Sequence, residues 1–239
     1  EKKAFIDALS KENFKEKILI GTSCNSLNDT ISLMQHSIKL GLKNFLIMNV
    51  AYYKNNDSGV YSFYKNIINA APDSKIILYN FSKLSGYAFT PEVTKRLIKD
   101  FPHNIVGMKD STGNLWDNFK AKNFSMFVGS EKKLLNGLKL GAAGCISATT
   151  NVTGVLAKKV FDDFHRSGDS SNDVKLKALR TVFDDTGNLV AALHTFKSLE
   201  NKNYSNLLPP LELLDENKKN ELIKKLKELG VLNNKNIAA

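Results

Sequence analysis

Cysteine is all but missing from this chain, with Cys24 and Cys145 as its whole complement. Two distant thiols make neither a disulfide framework nor the paired spacing of a zinc site, and such sparing use fits a reducing, cytoplasmic compartment. Arginine is scarce as well: Arg96, Arg166 and Arg180 are the only three among 34 Lys and Arg residues. Nucleic-acid readers rely on arginine forks, aromatic platforms or a compact basic stripe. The net charge of +10 is instead carried by scattered lysines, so it implies no more than weak, non-specific attraction to polyanions. The four histidines, His36, His103, His165 and His194, are dispersed and show no acidic partner at ligand spacing, which argues against a metal site. Gly141-Ala142-Ala143-Gly144 is too weak a glycine turn to stand for a dinucleotide cofactor loop. No run of about eighteen apolar residues occurs, so no membrane span is expected. The expected partners are small molecules, with neither nucleic acid nor membrane among them, and no cofactor is called for.

What is present is a regular alternation of strand and helix patterns. Hydrophobic residues make up 42% of the 239 positions, enough for a sizeable core. Strands are expected at residues 17–21, 45–48, 75–80, 105–110, 126–129 and 144–148, with helices at 1–13, 28–40, 59–71, 90–100 and 131–140 between them and a short helix from Asn114. From Val152 onward only helical patterns remain, at 155–165, 174–199 and 217–229, with Pro209-Pro210 before the last. Six parallel-type strands alternating with helices predict an α/β barrel or a doubly wound sheet. The division expected is 1–151 for the strand-bearing part and 152–239 for its last helix and a helical extension.

Within this pattern Ile105–Asp110, reading Ile-Val-Gly-Met-Lys-Asp, stands out, because Lys109 sits where an apolar strand should end. Burial disfavours an ammonium and makes the neutral amine available as a nucleophile toward carbonyls. The competing reading is a strand-end lysine that snorkels to water. Lys75–Asn80, reading Lys-Ile-Ile-Leu-Tyr-Asn, ends in the same way with Tyr79, thirty residues earlier, about one strand–helix–strand unit. In a parallel sheet both side chains would emerge at the carboxyl-terminal edge. A phenol beside an amine suits imine chemistry, since it can carry protons to and from the carbinolamine.

Taken in order, Tyr52-Tyr53, Leu78-Tyr79-Asn80 with Ser85-Gly86, Gly107–Asn114, Gly129-Ser130-Glu131 and Gly144-Cys145-Ile146-Ser147 with Asn151 resemble the dihydrodipicolinate synthase and N-acetylneuraminate lyase superfamily. The resemblance implies a TIM (β/α)8 barrel with a C-terminal helical extension, a homotetramer, and class I aldolase chemistry on pyruvate held as an imine. It further implies Lys109 as the Schiff-base lysine, Tyr79 as the proton-relay phenol, and Tyr53 as a tyrosine lent to a neighbouring subunit. Ile146 would face pyruvate with its carbonyl. Ser111 and Glu131 would meet the hydroxyls of a longer substrate, and Gly129 would line the same site.

Two departures from the family pattern bear on this reading. The family's first strands and its pyruvate-carboxylate loop have no counterpart here. About fifty residues are therefore expected to be missing before Glu1, where the chain opens without a methionine, and a barrel lacking two strands would carry exposed edges. Leu84 also stands where lysine-pathway synthases carry an arginine for the carboxylate of aspartate semialdehyde, and an apolar side chain cannot supply that fork. The expected activity is thus a carbon–carbon lyase on a 2-keto-3-deoxy sugar acid such as 2-keto-3-deoxygluconate. The alternatives are 4-hydroxy-tetrahydrodipicolinate (dihydrodipicolinate) synthase and N-acetylneuraminate lyase. A non-catalytic binder on the same barrel is disfavoured, because it would need neither Lys109 nor Tyr79.

Overall fold

The computed structural model describes residues 1–232, which form two compact units, Glu1–Gly129 with Gly141–Ala143, and Ser130–Leu140 with Gly144 onward. Residues 233–239 of the expected helical extension lie outside the described residues.

In the first unit α1 (Lys2–Leu9), β1 (Ile20–Gly21), α2 (Leu27–Lys39), β2 (Asn44–Met48), α3 (Asp57–Ala70) and β3 (Lys75–Asn80) are followed by a single-turn helix, α4 (Ser82–Ser85). Then come α5 (Pro91–Asp100), β4 (Ile105–Asp110) and β5 (Ser125–Val128). The five strands pair in parallel and in chain order. The register aligns Ile47 with Leu78 and Leu78 with Met108, all fully buried. Because side chains alternate along a strand, this row is one face of the sheet, and residues one step along point to the other. Val60, Tyr64 and Ile67 of α3 and Val93 and Leu97 of α5 are buried too. Tyr64 donates to the carbonyl of Ile47 at 2.7 Å, fixing α3 to β2, and burial pushes its phenol well above the ordinary value.

Local chemistry explains the helix starts. Ser26 accepts from Asp29 N–H, Asn56 from Gly59 N–H and Thr90 from Val93 N–H, and Pro91 takes the first helical position after its cap. His36 bonds Asp7 at 2.6 Å and so ties α2 to α1, a structural use of a histidine.

The second unit holds α6 (Leu134–Lys139), β6 (Gly144–Cys145), α7 (Thr150–Ser167), α8 (Asn172–Asp184), α9 (Leu189–Ser198) and α10 (Glu216–Glu228). Leu134, Leu138, Val160 and Leu176 form one buried cluster. Phe183, Ala192, Phe196, Leu222 and Leu226 form another. Among the described residues, no helix is long and apolar enough to cross a membrane.

Several expectations about elements need correction. The helix expected over 1–13 ends at Leu9, and the strand expected over 17–21 is confined to Ile20–Gly21, because a 3-10 turn occupies Lys15–Lys17. The single helix expected over 174–199 is two, α8 and α9. Gly187 adopts a left-handed φ of 77°, and the Asn188 side chain then accepts from Ala191 N–H to cap α9. The short helix expected from Asn114 is a turn, because the N–H groups of Leu115 and Trp116 point to the Asp110 carboxylate. The sixth strand stops at Cys145, and the chain from Ile146 leads directly into α7.

Candidate active site

Strands β3 and β4 bring the two principal candidates together. Tyr79 and Lys109 are register partners, and Met48 and Phe127 extend the same row on β2 and β5. Lys109 is only 8% exposed, and its Nζ lies 4.1 Å from the centre of the Tyr79 ring. Such low exposure is unusual for a lysine that snorkels to water. Among the described residues Lys109 makes no ion pair. The amine lies against the electron-rich face of the Tyr79 ring. Phe81 also packs on Tyr79, at 5.9 Å between ring centres and 27° between planes.

One residue further along the same strands, on the opposite face, lies a second row to which the sequence reading gave no role. Asn80 and Asp110 are register partners and both fully buried. Asp110 Oδ1 accepts from Asn80 Nδ2 at 2.9 Å and Gly113 N at 2.8 Å, while Oδ2 accepts from Leu115 N at 2.8 Å and Trp116 N at 2.9 Å. A carboxylate taken out of water needs such donors to offset its lost hydration. Here they come mostly from the loop after β4, which is thereby folded around the charge.

Ser111 follows directly, its N–H donating to the Asn80 carbonyl at 2.9 Å. Its hydroxyl lies hard against Gly129, where an added Cβ would fall 2.1 Å from Ser111 Oγ. Only glycine permits that approach. Leu84 is 58% exposed on α4, and Tyr53 is 64% exposed, with its ring T-shaped against Tyr52 at 5.3 Å. Asn55 Nδ2 donates to the carbonyls of Val50 and Tyr53 at 2.8 and 2.9 Å, holding the exposed tyrosine turn closed.

The remaining two candidates belong to the second unit. Ile146 follows β6 and is half-buried. Glu131 is fully buried in a polar cluster. Its Oε2 accepts from Arg180 Nη1 at 2.8 Å and Ser147 Oγ at 2.5 Å, and its Oε1 accepts from Thr153 Oγ1 at 2.8 Å. Burial alone would push the Glu131 carboxyl up, but hydrogen bonds led by that from Ser147 outweigh it and hold the group below its ordinary value. Burial pulls the Arg180 guanidinium down, and its bonds to Asp184 and Glu131 carry it above its ordinary value. Both oxygens of Glu131 are thus committed within the protein, an arrangement at odds with the expected contact to a substrate hydroxyl. A cation for Glu131 was invisible in the sequence because Arg180 lies forty-nine positions away.

The dihydrodipicolinate synthetase family model matches residues 1–229 of the chain. An uncharacterised DapA-like lyase of Chloroflexus aurantiacus is 32% identical over 173 residues, covering 69% of this chain and 58% of that protein. A 4-hydroxy-tetrahydrodipicolinate synthase of Nostoc is 27% identical over 238 residues, 95% of this chain and 79% of its own length. A 2-dehydro-3-deoxy-D-gluconate/2-dehydro-3-deoxy-phosphogluconate aldolase of Picrophilus torridus is 30% identical over 156 residues, 63% of this chain and 57% of the aldolase. Two of these three relatives are thus spanned over little more than half their length. Among solved structures, an E. coli K12 prophage protein of the dihydrodipicolinic acid synthase family, crystallised with pyruvate, superimposes with a TM-score of 0.81. It is 23% identical, over 97% of this chain and 81% of that one, a likeness of fold.

Proposed function

Since the chain belongs to the dihydrodipicolinate synthetase family, we propose that it is a pyruvate-dependent carbon–carbon lyase that works through an imine on Lys109. The observation that carries this reading is the Lys109 amine, buried and 4.1 Å from the centre of the Tyr79 ring. The neutral amine adds to the C2 carbonyl of a 2-keto acid and gives a carbinolamine. Loss of the hydroxyl as water leaves a protonated imine. In cleavage the C3–C4 bond breaks, its electron pair entering the iminium to form an enamine, and the C4 hydroxyl proton is released as the aldehyde forms. Protonation at C3 and hydrolysis return pyruvate and free Lys109. We assign the carriage of protons between these oxygens and solvent to the hydroxyl of Tyr79, whose ring lies beside the amine. Tyr53, exposed on a turn that Asn55 bonds, is placed to serve a second copy of the chain.

For the longer substrate we propose a 2-keto-3-deoxy sugar acid, with Ser111 and the Gly129 backbone beside its hydroxyls. Leu84 supports this choice, since it is apolar where a carboxylate-bearing aldehyde would need a cation. Condensation with aspartate semialdehyde is the second reading, favoured by the Nostoc synthase aligned over 95% of the chain. Only the exposed Lys83 could meet that carboxylate from α4, as a flexible point charge in place of a planar fork. The test is the ratio of catalytic efficiencies for sugar-acid cleavage and semialdehyde condensation. We expect the native protein to favour cleavage and Leu84→Arg to shift the ratio toward the semialdehyde. A native preference for the semialdehyde that Lys83→Ala abolishes would reverse the assignment.

A further inference from the structure

We infer that Asp110, Asn80 and Thr112 form a latch that positions the two arms of the candidate site, the Lys109 strand end and the Leu84 turn, with Thr112 as its specificity-positioning member. The inference rests on the imine-lyase reading and assigns the latch no part in the bond-making itself.

The latch begins with a fixed polarity. Asp110 can only accept, so the group facing it from Asn80 must be the amide NH2, at 2.9 Å. That leaves Asn80 Oδ1 turned the other way, where it accepts from Phe89 N at 3.1 Å and from Thr112 Oγ1 at 3.2 Å. The second amide hydrogen of Asn80 goes to Asn114 Oδ1 at 2.8 Å, so every bonding direction of this side chain is used. Having donated to Asn80, the Thr112 hydroxyl accepts from Ser82 N at 2.8 Å. A continuous chain of donors therefore runs from Ser82 N–H through the Thr112 hydroxyl and the Asn80 amide to the Asp110 carboxylate. Bonds arranged head to tail in a buried setting polarise one another, and the anion at the end strengthens the series.

The two ends of this chain lie at different parts of the site. Asp110 adjoins Lys109, and Asn80 adjoins Tyr79, so the carboxylate end keeps β3 and β4 in the register that juxtaposes amine and phenol. Ser82 opens α4, whose backbone holds Leu84 two residues later. Imine formation needs the first end alone. Recognition of the aldehyde half draws on the second, through Thr112.

The experiment measures condensation of pyruvate with D-glyceraldehyde by the native protein, Thr112→Val and Thr112→Ser, with a separate KM for each reactant. Borohydride inactivation in pyruvate alone reports imine formation. Hydrogen exchange over residues 82–89 reports the turn independently of activity. We expect Thr112→Val to raise the KM for glyceraldehyde about tenfold, the upper range for one lost hydrogen bond. The pyruvate KM and inactivation rate should stay within about twofold, and exchange over 82–89 should quicken. Thr112→Ser, which keeps the hydroxyl, should behave as native. Unchanged kinetics, an equal loss for both reactants, or a serine variant as impaired as the valine would overturn the inference. A second variant tests the other end: Asn80→Asp sets two carboxylates face to face. Borohydride inactivation in pyruvate should slow in it, and an unchanged rate would count equally against the latch. A native protein that forms no pyruvate adduct would instead remove the lyase reading itself, a result visible before any substitution is made.

Discussion

Tyr79 and Lys109 are adjacent because two strands of a parallel sheet end at the same level, and their side chains point to the same face. That much is legible in the sequence, since each residue closes an apolar run and the spacing matches one strand–helix–strand unit. Asn80 and Asp110 were not legible as partners. Their role depends on which face each presents and on a loop folded back to the carboxylate, neither of which a linear pattern encodes. Glu131 shows the converse, a polar residue in a site-like motif whose side chain is satisfied inside the protein. At this scale the expected outcome of Tyr79→Phe is a fall in turnover on the order of 10²–10⁴-fold, the range for a positioned acid–base group. The pyruvate KM should change much less, because the ring that packs beside Lys109 remains. Steady-state kinetics would check this, and native-like turnover would remove the Tyr79 hydroxyl from proton transfer.

Elements were read more reliably where one mechanism fixed both pattern and boundary. Strand β4 was bounded correctly because its apolar run ends in a charge and a turn, and α5 because Thr90-Pro91 can only begin a helix. The α8–α9 break was missed because the apolar periodicity continues through it and only Gly187 and Asn188 mark the stop. The Glu131–Arg180 pair joins α8 to the turn that precedes α6, and Asp184 extends it to Lys132 at 2.8 Å. Its pH dependence follows from the sign of the shift. Glu131 titrates lower in the folded chain than its ordinary 4.5, so protons favour the unfolded state. The stabilisation is fully present above about pH 4.5 and is lost as pH falls through the lowered folded value. Glu131→Gln should therefore destabilise the protein at pH 7 by about 3 kcal/mol, the lower range for breaking a buried pair. It should also flatten the loss of stability on acidification. Urea denaturation of both proteins at pH 7 and pH 4 would test this, and parallel pH profiles would exclude Glu131 as a source of acid sensitivity.

Across the whole molecule, the alternation of strands and helices and the order of the motifs carried the family and the α/β class. The division into two units at Gly129 and Ser130 could not be read from composition, which shows no linker there. The central claim spans every scale, since it requires one lysine among many to be chemically singular. It is tested most directly by treating the protein with borohydride in the presence of pyruvate and mapping the reduced adduct by mass spectrometry. The account predicts a single pyruvate-dependent modification, on Lys109, absent from Lys109→Ala. An adduct on any other lysine, or none at all, would contradict it.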